Sequence, residues 1–89
     1  MTTMDSDLRD ELLRFAQRVL VDVPEEAHPS VQWHQVHEDL GSLIVEARRG
    51  RPRPELLRML MRRVTEELAA GGVAPATVRA LRESSLPLG

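Results

Sequence analysis

The stretch PELLRMLMRRVTEELAA, from Pro54 to Ala70, decides the fold of this chain. Its apolar residues recur at three- and four-residue intervals and cover an arc of roughly 140° on an α-helix. They are Leu56, Leu57, Leu60, Met61, Val64 and Leu68. Proline suits the first helical position, because the backbone donor that it lacks has no partner there. The stretch therefore predicts an amphipathic helix over 54–70.

Two longer segments with the same period precede this stretch. The first predicts a helix at about 6–22, capped by Asp5 or Ser6. Its apolar face holds Leu8, Leu12, Phe15, Ala16, Val19, Leu20 and Val23. The second predicts a helix at about 30–49, which starts near Pro29 or Ser30 and ends at Gly50 in the left-handed conformation. Its apolar stripe holds Trp33, Val36, Leu40, Leu43, Ile44 and Ala47.

Short links join these segments. Glu25 and Glu26 follow Pro24 and are predicted to form one helical turn. Residues 50–54 contain Arg51-Pro52-Arg53-Pro54, and this linker should be extended and stiff because a residue before proline avoids the helical region. The helix predicted over 54–70 can end at Gly71.

The last segment predicts a short helix at about 75–84, with Val78 and Leu81 facing inward. Leu86 and Leu88 are expected either to dock onto the domain or to fray. No alternating strand pattern occurs anywhere in the sequence. We therefore predict one all-α domain over 1–89, a small antiparallel bundle of three main helices plus a short C-terminal helix.

Charge is sorted along the chain. All twelve basic residues are arginine. Residues 1–47 carry three arginines against ten carboxylates, a net charge of −7, and residues 48–89 carry nine against four, a net charge of +5. Such asymmetry points to a partner or to self-association, with the two halves paired either within one chain or between chains.

The composition argues against catalysis. The chain has no Cys, Tyr or Lys, so many of the usual nucleophiles and general bases are missing. It contains no phosphate-binding glycine loop and no Gly-x-Ser-x-Gly motif. The acidic start of the chain is unlike a secretory signal, and no apolar run approaches a membrane span. We predict a non-enzymatic, cytoplasmic protein with no cofactor and no membrane partner.

The spacing of two histidines is compatible with a metal site, but the rest of the sequence does not support one. His34 and His37 are three residues apart on the second predicted helix, a spacing that two ligands of one metal can have. Further ligands would have to come from another element, and the Glu-x-x-His pattern of di-iron bundles is absent. The interpretation from sequence is an exposed His34, a His37 beside the core stripe, and no metal.

The second and third helices carry the features of an interaction surface. Gly41 lies inside a helix, where glycine costs about 1 kcal/mol relative to alanine. It is either a tolerated exposed glycine or a point of close helix approach, and Val31, His34 and Val45 are expected on the same face. Met59 lies among arginines, a composition common at interfaces.

These features predict a protein–protein interaction module, an adaptor, regulator or assembly factor. It would dock a partner protein or a second copy of the chain through the second and third helices. The predicted contact residues are His34, Gly41, Val45, Arg48, Arg49, Arg51, Arg53, Arg58, Met59 and Arg62.

One stretch supports an alternative. Residues 65–82 contain Leu68-Ala69, Gly72-Val73 and Ala76-Thr77-Val78-Arg79 in succession. This order resembles the helix-turn-helix of bacterial DNA-binding domains, although the turn is one residue shorter. The resemblance implies a small DNA-binding regulator in which Thr77, Arg79 and Arg82 face the groove or its phosphates. A helix hairpin closed by the Gly71-Gly72 turn explains the same residues without DNA.

Overall fold

The computed structural model describes the backbone of residues 3–83 and the side chains of residues 9–83. Over this range the chain forms four α-helices and no strand, which confirms the predicted all-α fold. The helices are α1 (Thr3–Asp22), α2 (Trp33–Ala47), α3 (Pro54–Ala70) and α4 (Pro75–Glu83). A 3₁₀ turn at Glu25–Ala27 links α1 to α2, as the sequence after Pro24 predicts.

The closest packing in the bundle is between α2 and α3. Two ion pairs show that these helices run antiparallel. Glu46 pairs with Arg53 beside the connection, and Asp39 pairs with Arg63 further along both helices. Helix α1 packs on α2, and α4 packs on both α3 and α1. The two central helices therefore present one shared edge to solvent.

The core is aliphatic around one aromatic ring. Phe15 is fully buried, as are Leu43, Leu57 and Leu68 from the two central helices. Most of the predicted inward residues are buried. Leu20 is the exception, because half of its surface (51%) is exposed where α1 ends and no helix covers it. The sequence prediction that Leu20 belongs to the core is therefore wrong.

Helix α1 begins earlier than predicted. It starts at Thr3, so Ser6 and Asp5 lie inside the helix and cannot cap its first turn. The predicted inward position of Leu8 lies outside the described side chains, and the positions of Ser84, Leu86 and Leu88 lie outside the described residues.

Helix α2 begins later than predicted, at Trp33 instead of about 30. The carbonyl of His28 accepts bonds from the Val31 N–H (3.2 Å) and from the Trp33 indole N–H (2.9 Å). These bonds hold residues 28–32 in a turn that leads into the helix, so neither Pro29 nor Ser30 starts it.

The end of α2 also differs from the prediction. Gly50 does not adopt a positive φ. Instead the Arg48 N–H bonds to the carbonyls of Ile44 and Val45, which tightens the last turn. The Ala47 carbonyl accepts a hydrogen bond of 3.0 Å from Arg9 Nε of α1. A left-handed residue is unnecessary because these bonds satisfy the terminal carbonyls.

The turn between α3 and α4 is a Schellman motif centred on Gly72, which has φ 95°. The Val73 N–H bonds to the Leu68 carbonyl and the Gly72 N–H to the Ala69 carbonyl, the two bonds that define this motif. Gly71 contacts the backbone of Val31, and a Cβ atom added to it would lie 2.5 Å from Val31 Cα. The Gly71-Gly72 pair is thus explained by the fold.

Candidate functional site at the α2–α3 edge

Four large apolar side chains of residues 9–83 are strongly exposed: Leu20, Val21, Val45 and Met59. Val45 lies on α2 with 66% of its surface exposed. His34, Gly41, Val45 and Arg48 follow one another at intervals of seven, four and three residues, so they share the outer face of this helix. All four are exposed. This part of the predicted surface is therefore brought together.

Gly41 has open space around it. Apart from the backbone of its own helix, a Cβ atom added there would meet no atom of the described residues within 4 Å, so no described side chain or neighbouring helix approaches Gly41 closely. Val31 does not share this face as expected, because it lies before α2 and is buried against Gly71. The outer face of α2 is consequently less apolar than predicted, with Val45 as its main apolar group.

A shallow groove runs between the two central helices beside Val45. Gly41, Ser42 and Val45 of α2 form one side of it, and Leu56 and Leu60 of α3 form the other. The buried carboxylate of Glu46 also contributes to its lining. We call these six residues the α2–α3 groove. The sequence predicts Leu56 and Leu60 in the core. In the structure both residues also line this groove.

Arginines surround the end of the groove near the α2–α3 connection. A second depression, which shares Leu56 with the groove, is lined by residues 51–56 and Arg58. Arg48, Arg51 and Arg58 are exposed, and none of them forms an ion pair with a described side chain. We call these three residues the arginine rim. They are available to carboxylates of another molecule.

Two of the predicted contact arginines act inside the chain. Arg53 donates to Glu46 through its backbone N–H (2.9 Å), Nε (3.1 Å) and Nη2 (3.0 Å). Arg49 adds an ion pair of 3.5 Å to the same carboxylate. The Arg53 side-chain bonds, followed by its backbone bond, lower the pKa of Glu46 to about 2. Both arginines are therefore engaged by Glu46 within the chain, and the Arg53 bonds hold the linker.

Met59 and Arg62 lie on the outer face of α3, outside the groove. Met59 is 39% exposed and Arg62 is exposed. Neither lines the groove or the depression beside it. The predicted surface is thus divided, with Val45 and Gly41 in the groove, Arg58 at its rim, and Met59 and Arg62 on a neighbouring face.

A buried carboxyl pair went unnoticed in the sequence. Asp39 of α2 and Glu67 of α3 each have a buried oxygen with no hydrogen-bond partner, Oδ2 and Oε1 respectively. Burial, followed by the adjacent Asp39 carboxyl, raises the pKa of Glu67 to about 7. A proton on Glu67 can then be donated to Asp39, which satisfies both oxygens. Gln35 and Arg63 bind the other oxygen of Asp39 at 3.2 and 3.3 Å.

One sequence signal could have revealed the buried acids of α2. Asp39 and Glu46 are seven residues apart, so they lie on one helix face next to the apolar stripe. Charges at that spacing on the edge of a stripe face the neighbouring helix.

Two of the three histidines pair with carboxylates, and His28 Nδ1 lies 3.1 Å from the Pro24 carbonyl oxygen. His34 Nε2 lies 2.9 Å from Glu38, and His37 Nε2 lies 2.8 Å from Glu25 of the 3₁₀ turn. His34 is exposed, and the ring of His37 lies 6.1 Å from that of Trp33. Between residues 9 and 83, no group of three or more His, Asp or Glu side chains could hold a metal ion.

Helix α4 exposes two of the three residues predicted to contact DNA in the alternative function. Arg79 and Arg82 are exposed and form no ion pair with a described side chain, and Thr77 is half-buried. Val73, Val78 and Leu81 are buried and fix the helix to the bundle. This surface therefore offers two cations beside the acidic Glu83.

Comparison of the chain with protein-family models, with curated proteins and with solved structures finds no match. In the part of the chain that the structure describes, no helix combines the length and the apolar character needed to cross a bilayer. A functional assignment therefore has to come from the chemistry of the surface itself.

Proposed function

We propose that this chain is a non-catalytic helical interaction module, an adaptor, regulator or assembly factor, that docks a protein segment in the α2–α3 groove. The observation that carries the proposal is the exposure of Val45, at 66%, beside Leu56 and Leu60 in one apolar groove. Burial of such a side chain by a partner contributes roughly 1.5–3 kcal/mol to binding.

Gly41 supports the same surface. A glycine inside a helix costs about 1 kcal/mol relative to alanine. Among the described residues, none occupies the space that a side chain at Gly41 would fill. A docked segment that lies against the helix backbone at this point accounts for a glycine that the fold does not require.

The charges indicate the chemistry of the partner. The arginine rim supplies three cations near one end of the groove, and none of them forms an ion pair with a described side chain. Arginine binds carboxylates with two parallel hydrogen bonds, and such pairs chiefly set register and association rate. The proposed occupant is therefore a segment that combines apolar side chains with Asp or Glu.

The Glu46–Arg53 pair prepares this surface. Its three hydrogen bonds join the end of α2 to the start of α3 and so hold the linker between them. A linker that is already ordered loses little conformational entropy when a partner binds. Arg51 and Arg58 are then presented in a defined position relative to Val45.

Photo-crosslinking tests the proposal. A photo-reactive residue at Val45 is compared with one at Ala80, an exposed position on α4, in a nuclease-treated native extract. The captured protein is then purified, and its affinity is measured for the wild-type chain, for Val45→Asp and for the double variant Arg51→Glu with Arg58→Glu. We expect capture at Val45 alone and at least about tenfold weaker binding for each variant, equivalent to 1.4 kcal/mol.

Equal affinity for the wild-type chain and both variants would overturn the proposal, provided that circular dichroism shows all three folded. Binding of the purified chain to duplex DNA, with an affinity that falls steeply with salt, would instead favour the alternative on α4.

A further inference from the structure

We infer that the segment which docks in the α2–α3 groove is supplied by a second copy of this chain, through the corner where α1 meets α2. The inference rests on the proposed function, since it names the occupant of the proposed groove. It follows from a second depression, whose lining combines apolar side chains with carboxylates.

The corner consists of Leu20 at the end of α1, Pro24, Glu25 and Glu26 in the link, and Trp33 at the start of α2, which line one shallow depression. We call these five residues the acidic corner. Leu20 is 51% exposed and Trp33 is half-buried. The corner thus joins exposed apolar surface to two carboxylates.

The charge of the corner is largely unbalanced within the chain. The last turn of α1 contains no basic residue. Glu26 forms no ion pair with a described side chain, and Glu25 pairs with His37, whose charge depends on protonation. The corner therefore has the composition, apolar with carboxylates, that the arginine rim and the groove are suited to bind.

The corner and the groove of one molecule cannot meet. Trp33 and Val45 belong to the same helix and are separated by 12 residues, about 18 Å along its axis. Because α2 is a rigid element, the complementary surfaces can meet only between copies. An apolar depression with carboxylates on one copy then faces an apolar groove with arginines on the next.

Two arrangements satisfy this pairing. A twofold dimer pairs the corner of each copy with the groove of the other, whereas a head-to-tail contact uses one corner and one groove and grows into a ring or an open chain. The separated charges of the sequence thereby acquire a role, with carboxylates and arginines pairing across each interface.

Sedimentation of the whole chain tests the inference. The weight-average mass of the wild-type protein should rise with concentration at low salt. It should fall toward the monomer in about 1 M NaCl, where the Debye length is about 3 Å. Trp33 is the only tryptophan and lies in the corner, so its emission should change with the same concentration dependence.

Complementation of two variants decides the arrangement. Leu20→Arg places a cation in the corner but leaves the groove intact, and Val45→Asp places a carboxylate in the groove but leaves the corner intact. Each variant alone should be monomeric, whereas their mixture should form a one-to-one dimer. Glu26→Arg, at an exposed position, serves as a second corner variant.

Two matched controls accompany these variants. Val21→Arg is the control for Leu20→Arg. It introduces the same cation at the next residue, which is 74% exposed and does not line the corner. Ala80→Asp repeats the carboxylate on an exposed position of α4. Both controls should associate as the wild-type chain does.

The outcomes separate this inference from the proposed function. A one-to-one dimer in the mixture supports pairing of the corner of one copy with the groove of the other. A wild-type dimer that Val45→Asp dissociates and both corner variants leave intact overturns it, but keeps the groove as a docking surface. A wild-type chain that stays monomeric also overturns it, and the photo-crosslinking at Val45 then decides whether the groove binds another protein.

Discussion

Glu46 and Arg53 join the end of α2 to the start of α3 through one backbone and two side-chain hydrogen bonds of 2.9–3.1 Å. Glu46 is almost completely buried, at 3% exposure, whereas most of Arg53 remains exposed. The pair therefore neutralises a buried carboxylate with a cation that reaches in from the surface. This contact holds the linker that carries Arg51.

Removal of the arginine should destabilise the fold. Arg53→Ala leaves Glu46 buried without its bidentate partner, so the melting temperature should fall. Arg53→Lys should recover only part of the loss, since an ammonium group cannot form the same planar pair. Thermal unfolding followed by circular dichroism measures both. Arg51→Ala is the matched control, and an equal loss in that variant would contradict a special role for Arg53.

The Glu46–Arg53 pair should make the free energy of unfolding decrease at acidic pH. Glu46 has a pKa of about 2 in the folded chain against an ordinary value of 4.5. A lowered pKa contributes stability above the ordinary value, and this contribution disappears as the pH falls through the folded value. The free energy of unfolding should therefore decline between pH 4.5 and about 2, as measured by urea titration. In Glu46→Gln this part of the decline should be absent.

The Asp39–Glu67 pair acts in the opposite direction. The pKa of Glu67 is raised from 4.5 to about 7, chiefly by burial. A raised pKa contributes stability that is complete below the ordinary value and is lost as the pH rises through the folded value. The fold should thus weaken between pH 4.5 and about 7 on account of this group.

Glu67→Gln should remove that weakening, because an amide donates to Asp39 at any pH. Urea unfolding at pH 5 and 8 should show the variant more stable than the wild type at the higher value only. Glu66→Gln, on the exposed neighbour, should reproduce the wild-type pH dependence. A Glu67→Gln chain with an unchanged pH profile would show that Glu67 does not cause the weakening.

Local sequence predicted those parts of the fold in which several signals coincide. Helix α3 spans 54–70 as expected, because Pro54, the apolar period and the Gly71-Gly72 pair all agree. The start of α2 was missed because the His28 carbonyl holds the chain in a turn, an arrangement that no residue preference reveals. Leu20 was misplaced because its exposure depends on where the other helices lie.

Gly41, Gly71 and Gly72 should respond differently to substitution by alanine. Gly71→Ala forces a Cβ against the Val31 backbone and should cost about 2 kcal/mol. Gly72→Ala, at φ 95°, should cost roughly 1 kcal/mol. Gly41→Ala should stabilise the chain by about 0.5–1 kcal/mol, since the space is open. Urea unfolding measures all three, and a destabilised Gly41→Ala chain would contradict the open position of this residue.

The candidate site was only partly predictable, for a related reason. Helical spacing places His34, Gly41, Val45 and Arg48 on one face without any structure. Whether an arginine is free depends on which carboxylates the fold brings to it. Arg53 lies seven residues after Glu46, and only the antiparallel return of α3 puts them in contact. Free and engaged arginines therefore look alike in the sequence.

Helix α4 gives the last prediction, on nucleic acid. Arg79 and Arg82 offer two cations. On duplex DNA, the logarithm of affinity falls with the logarithm of salt concentration with a slope of about −0.9 per phosphate contact. Any duplex binding through α4 should therefore be weak, with a slope no steeper than about −2. Fluorescence anisotropy over a salt series measures this slope for the wild-type chain and for Arg79→Ala with Arg82→Ala. Tight binding that the double variant abolishes, with unchanged melting, would replace the interaction module by the DNA-binding alternative.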